Sequence, residues 1–167
     1  MLKMSKKIVI NTDPLIAIIA GLGNLKVLEK LYEEVMVPYE VGQEMLAKKN
    51  ITNDAKIFDE NSWLNKLNRP VKLNSFLSNS LDKGEASVIQ VAIDNGIKTV
   101  CIDEAAGRRI ARLNDLKVTG SLGVIISAIK IGEDLAIESV IRNMRENGVW
   151  ISNKLAEEAI KLVKTKY

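Results

Sequence analysis

Acidic side chains must carry most of the chemistry available to this chain, because it has no imidazole and only one thiol. Its 167 residues include no histidine and a single cysteine, Cys101. Imidazole bases, Ser-His-Asp and Cys-His nucleophiles, and zinc sites built on imidazole or on several thiolates are excluded. Carboxylates, lysines, tyrosines and hydroxyls remain. Four carboxylates stand in informative places. In IVINTDPLIAI, Asn11-Thr12-Asp13 falls where a short apolar run hands over to a helical pattern. Glu44 lies one turn after Glu40 in the helical stretch YEVGQEMLAKK. Glu85 opens LDKGEASVIQVAIDNG, and Val88, Ile89 and Ala92 follow it at helical spacing, which puts it on the apolar stripe. Asp103 closes the apolar run TVCI.

Each has a bland explanation. Asp13 before Pro14 reads as a helix N-cap with Pro at the first helical position. Glu85 in a first helical turn is favoured by the helix dipole and can reach solvent. Glu40 and Glu44 fit a solvated face, and Asp103 fits a turn. Together, however, they point to acids gathered at the carboxyl edge of one sheet. Like charges so gathered destabilise a fold unless a cation lies between them. All-oxygen donors select Mg²⁺ or Mn²⁺. Other motifs are less specific. GLGNLK ends a helix and is no dinucleotide fingerprint. TGSLG follows a short strand and opens a helix, as either a phosphate cradle or a plain cap. Arg108 and Arg112 share a helix face, placed to meet phosphate or to be solvated. Trp63, Trp150 and Tyr32 read as packing residues.

These side chains need a scaffold, and the pattern supplies one. Strands are expected at Lys7–Ile10, Val35–Val37, Thr99–Ile102 and in KVTG, with an extended stretch in WLNKLNRPVKL. Helices are expected from Pro14 to the Gly21-Leu22-Gly23 break, in NLKVLEKLY behind an Asn24 cap, in YEVGQEMLAKK, and within residues 51–61. More follow in DKGEASVIQVAIDNG, in EAAGRRIARLNDL, and in SLGVIISAIKIG with Ser121 as N-cap. From about residue 133, two helices are separated by ENGVWIS, the second capped by Ser152. Strands alternating with helices predict a single α/β domain over 1–167. Its parallel sheet is covered on both faces, with its site beyond the carboxyl ends of the strands.

Composition is compatible with this. Apolar residues make up 47% and charged residues 27%, as in a globular protein, and the net charge of +3 permits a nucleic-acid partner without requiring one. One cysteine allows no internal disulfide, and a reducing, cytoplasmic setting is the simplest expectation. The start MLKMSKK leads into too short an apolar run for a signal peptide. LIAIIAGLG and LGVIISAI are too short to span a bilayer, so no membrane partner is expected.

Five segments in order, IVINTDPLIAI, EVMVPYEVGQEM, LDKGEASVIQVAIDNG, TVCIDEAAGRRIA and VTGSLGVIISAIKIG, resemble the PIN-domain superfamily of metal-dependent nucleases, in a branch of predicted nucleic-acid-binding proteins. The resemblance implies a three-layer α/β/α fold. It implies a metal site made by Asn11, Glu44, Glu85 and Asp103, with Glu44, Glu85 and Asp103 as catalytic acids. It also implies Thr12, Ser121 and the arginines Arg108 and Arg112 as substrate contacts. Where the family carries its first Asp, this chain has Asn11, and Asp13 and Asp82 are the carboxylates placed to compensate. The implied reaction is Mg²⁺- or Mn²⁺-assisted hydrolysis of single-stranded RNA, in some relatives as a toxin held by a small antitoxin protein. The competing expectation is a catalytically silent PIN fold that binds nucleic acid or protein. PIN proteins often dimerise, and the wide apolar faces of PLIAIIA and SLGVIISAIKIG lead to the expectation of a homodimer. A phospho-acceptor receiver domain is disfavoured, because the first strand end lacks an acidic pair and VTGS lacks the matching lysine.

Overall fold

The computed structural model describes residues 6–47 and 53–165. The chain alternates strands and helices in the order β1 (Lys7–Ile10), α1 (Thr12–Leu22), α2 (Lys26–Leu31), β2 (Glu34–Val37), α3 (Tyr39–Leu46), α4 (Asn53–Glu60) and β3 (Asn65–Lys66). It continues with α5 (Ser75–Ser80), α6 (Lys83–Asp94), β4 (Thr99–Cys101), α7 (Ala105–Leu113), β5 (Lys117–Thr119), α8 (Ser121–Lys130), α9 (Ile137–Glu146) and α10 (Asn153–Lys164). All five strands run parallel in the order β3-β2-β1-β4-β5. The result is the expected three-layer α/β/α architecture.

β1 is central because it is apolar on both faces: Ile8, Val9 and Ile10 are fully buried. Its neighbours are β2 on one side and β4 on the other, so the order of strands reverses between β1 and β4. That reversal opens a crevice beyond the carboxyl ends, the usual place for a site in such a sheet. Helices α3, α5, α6 and α7 pack on one another in one layer; α1, α2 and α8 join α9 and α10 in the other.

Some elements differ from expectation. The extended stretch shrinks to the two-residue edge strand β3, because Asn65 and Lys66 alone pair with Met36 and Val37. The short helix α5 arises from an Asn74 cap on Leu77, whose side chain is fully buried. Helix α2 begins at Lys26, and Asn24 stands just ahead of its start, its side chain accepting from the Lys26 N–H. Ser152 caps α10 as expected. The expected helix ends at residues 48–49 and 51–52 lie outside the described residues. Tyr32 and Trp63 are half-buried packing residues, but Trp150 is 85% exposed, so its reading as a packing residue is corrected. The apolar faces of α1 and α8 that motivated a homodimer are covered within the chain, by α9 and α10. Among the described residues, no helix is long and apolar enough to cross a membrane.

Candidate functional site

The turn from β1 into α1 forms the floor of the crevice. The Asn11 backbone N–H donates to the Cys101 carbonyl at 3.0 Å, tying the ends of β1 and β4. Asn11 has the extended geometry of a helix cap (φ −89°, ψ 170°), yet its side chain makes no capping bond and is 5% exposed. Asp13 is therefore not the cap. It is the second residue of α1, exposed, and Pro14 is tolerated third because first-turn N–H groups have no intrahelical acceptor. Among the described residues, the buried Thr12 hydroxyl has no hydrogen-bond partner.

Glu85 comes next. Asp82 caps α6 by accepting from the Glu85 N–H at 2.9 Å, which starts the helix early enough to turn Glu85 inward. Its side chain is buried, with the carboxylates of Asp82, Glu104 and Asp13 nearby. Burial first, and then these like charges, push its pKa up to about 7.

The two flanking acids approach from either side. Glu44, exposed near the end of α3, borders Gly84 together with Asn11: a methyl group on Gly84 would overlap Glu44 Oε1 and lie 3.4 Å from Asn11 Oδ1. Asp103, just past β4, accepts the Ser121 N–H at 2.8 Å. The protein crowded around its carboxylate raises its pKa, and the Ser121 N–H and Arg108 partly oppose this. Ser121 is thus not an N-cap. Gly120 takes that position, and Ser121, the first residue of α8, directs its backbone N–H to Asp103. Arg108 anchors through Nη1 to the Ile102 carbonyl at 2.9 Å and shares a cavity wall with Asp13, Asp103 and Glu104. Arg112 lies a turn further along α7, exposed and outside that cavity.

The sequence did not assign Glu104, or the space that three glycines leave, to the site. Glu104 was visible only as the second acid of Asp103-Glu104; its partner Glu85 sits on another helix. Gly84, Gly107 and Gly120 each abut a site acid. A methyl group on Gly107 would come within 3.4 Å of the Glu85 carboxyl carbon, and one on Gly120 within 2.6 Å of Asp103 Oδ1.

A family model described as a PIN domain matches residues 7–165. The chain belongs to the PIN-domain family. No characterised protein matches it, and no solved structure does. PIN domains are generally nucleases that use divalent metal ions, so membership brings a nuclease-type fold.

The residues of this PIN domain fit such an ion by donor chemistry. The donors are all oxygens, like charges crowd the buried Glu85 carboxyl, and among the described residues the Thr12 hydroxyl is unpartnered in the buried turn. The side chains are not drawn into a cage: among the described residues, no three acidic or thiol groups stand together as a metal site.

Proposed function

We propose that the protein is a Mg²⁺- or Mn²⁺-dependent endoribonuclease that hydrolyses phosphodiester bonds in single-stranded RNA. The observation that carries this reading is the buried Glu85 carboxyl, faced by Asp82, Glu104 and Asp13 at the crevice where strand order reverses. A site of that charge is satisfied by protons or by a cation. Glu85, Glu104 and Asp103 would hold the ion, with Glu44, Asn11 and Asp13 as the further oxygen donors available to it. The ion, when bound, supplies Lewis acidity toward phosphate and water. The chain's own groups do the rest. Ser121 holds Asp103 in orientation through its backbone N–H. The Thr12 hydroxyl and Arg108 would orient water and a phosphate oxygen.

A second reading is favoured by one observation. Asn11 is neutral, and among the described residues no three acids stand ready as a cage, as in a PIN fold that binds nucleic acid without cutting it. Calorimetric titration with Mn²⁺ and cleavage of a labelled single-stranded RNA separate the two. The nuclease reading expects saturable Mn²⁺ binding and chelator-sensitive cleavage, both lost in Glu85→Gln. Oligonucleotide binding with neither leaves the silent module.

A further inference from the structure

Trp150 sits in the connection between α9 and α10, 85% exposed, in a chain with only two tryptophans. An indole left in water forfeits a large burial, so its position calls for an occupant. The connection that carries it is firmly held. Ile151 is buried, and its carbonyl accepts two bonds from the Arg145 guanidinium, at 2.9 and 3.2 Å. On the other side, the Val149 N–H donates to the Met144 carbonyl at 2.9 Å. With both neighbours anchored, the ring is presented at a fixed place.

That place borders a cavity of about 980 Å³ that is lined by residues of the acidic site as well. Trp150, Leu155 and Leu162 are in its lining, and so are the charged groups Asp103, Glu104 and Arg108. The volume is at the upper end of the range of small-molecule pockets, roughly 300–1,000 Å³. An apolar helix of another protein, or a second copy of this chain, would bury those three charged groups against hydrocarbon. A nucleotide joins a flat apolar base, which suits the indole, to an anionic phosphate, which suits Arg108 and the cation proposed above for the acids.

We propose that Trp150 is a stacking platform for an unpaired base of a single-stranded nucleic acid whose adjoining phosphodiester lies beside Asp103 and Arg108. The inference rests on the nucleic-acid reading above. It makes single strands preferred over duplexes, because a duplex keeps its bases stacked on one another.

The test uses the full chain in Mg²⁺ with a short single-stranded oligonucleotide carrying phosphorothioate linkages to slow cleavage. In Trp63→Phe protein, Trp150 is the sole indole. Its emission is expected to fall on addition of this strand and to stay unchanged with an abasic strand of the same backbone. By anisotropy, Trp150→Ala is expected to weaken single-strand binding about 5- to 150-fold, as loss of one stacked base does. Trp150→Phe should recover part of this, and the melting temperature should be unaltered. Single-strand binding that is as tight in Trp150→Ala, with no change in emission, overturns the platform and leaves the nucleic-acid reading standing. Absence of any oligonucleotide binding by the wild type overturns both. Loss of self-association in Trp150→Ala by light scattering, with oligonucleotide binding intact, shows an interface between copies instead and also overturns it.

Discussion

A carboxyl group with a pKa of about 7 changes charge in the neutral range, and Glu85 is such a group. Its ordinary value is 4.5, so between about 4.5 and about 7 the folded protein holds a proton that the unfolded chain has released. Stability therefore falls as pH rises through that window and levels off above it. Asp103, also raised, adds to the trend in the same direction. With chelator present, the melting temperature should decline from pH 5 to pH 8, and Glu85→Gln should flatten most of the decline. A divalent cation competes with the same protons, so Mn²⁺ should stabilise more at pH 8 than at pH 5. Equal Mn²⁺ shifts at both pH values would place the ion elsewhere. Asn11→Asp extends the argument. The strand end is tied by the Asn11 backbone N–H, so the substitution leaves that bond alone and adds a buried charge beside the acids. Asn11→Asp should melt earlier than wild type with chelator and gain more from Mn²⁺, with faster cleavage. Lower stability in both conditions without added cleavage would make Asn11 a packing residue only. At this scale, the position of Asn11 was legible because a strand end followed by Thr is a local signal. The role of Glu104 was not, since the group that gives it meaning is distant in the chain.

The elements position these acids through close approaches that glycine permits. Gly120 is the clearest case. Its backbone is extended (φ −125°, ψ −176°), a region any residue adopts, so only space argues for glycine there. A methyl group would lie 2.6 Å from Asp103 Oδ1 and 3.0 Å from Arg108 Nη1. Gly120→Ala should therefore displace Asp103 while leaving the fold intact. Cleavage should drop roughly 10²-fold, the effect of a misplacement of about 1 Å. Stability should change by no more than about 1 kcal/mol. Wild-type cleavage rates in Gly120→Ala would show that Asp103 is not placed by this contact. The strand and helix order was readable from periodicity because β1, α6 and α8 are long or strongly patterned. Helix α5 was not, because six residues with one buried side chain, Leu77, leave no period to detect. The reading of Ser121 as a cap failed for a related reason. A Ser at a helix start usually caps, and only the tertiary position of Asp103 reveals that its N–H is engaged there.

At the scale of the molecule, α9 and α10 are a structural layer rather than an appendage. They cover the apolar faces of α1 and α8, and Val140, Ile141 and Met144 of α9 are buried with Ile125 of α8. From sequence, those same faces read as an interface between copies, because a pattern shows that a surface is apolar and not what covers it. The contact is tightest at Gly21, where a side chain would meet Val140 Cγ1 at 2.8 Å and Met144 Cε at 3.1 Å. Gly21→Val should push α9 outward and cost about 1–3 kcal/mol by overpacking. Gly42 in α3, where a methyl group meets nothing within 4 Å among the described residues, supplies the opposite control. Gly42→Ala should gain about 0.4–1 kcal/mol from reduced freedom of the unfolded chain. Gly21 lies at the far end of α1 from Asp13, about 12 Å along the axis. Displacing α9 should therefore spare the acids but move the connection that presents Trp150. The expected result is earlier melting of Gly21→Val, weaker single-strand binding, and a Mn²⁺ stabilisation at pH 8 equal to that of wild type. Hydrogen exchange should quicken in α9 and α10 before the central strands. If the Mn²⁺ response falls together with strand binding, the acids and the indole are not separable, and the division of labour between them is wrong.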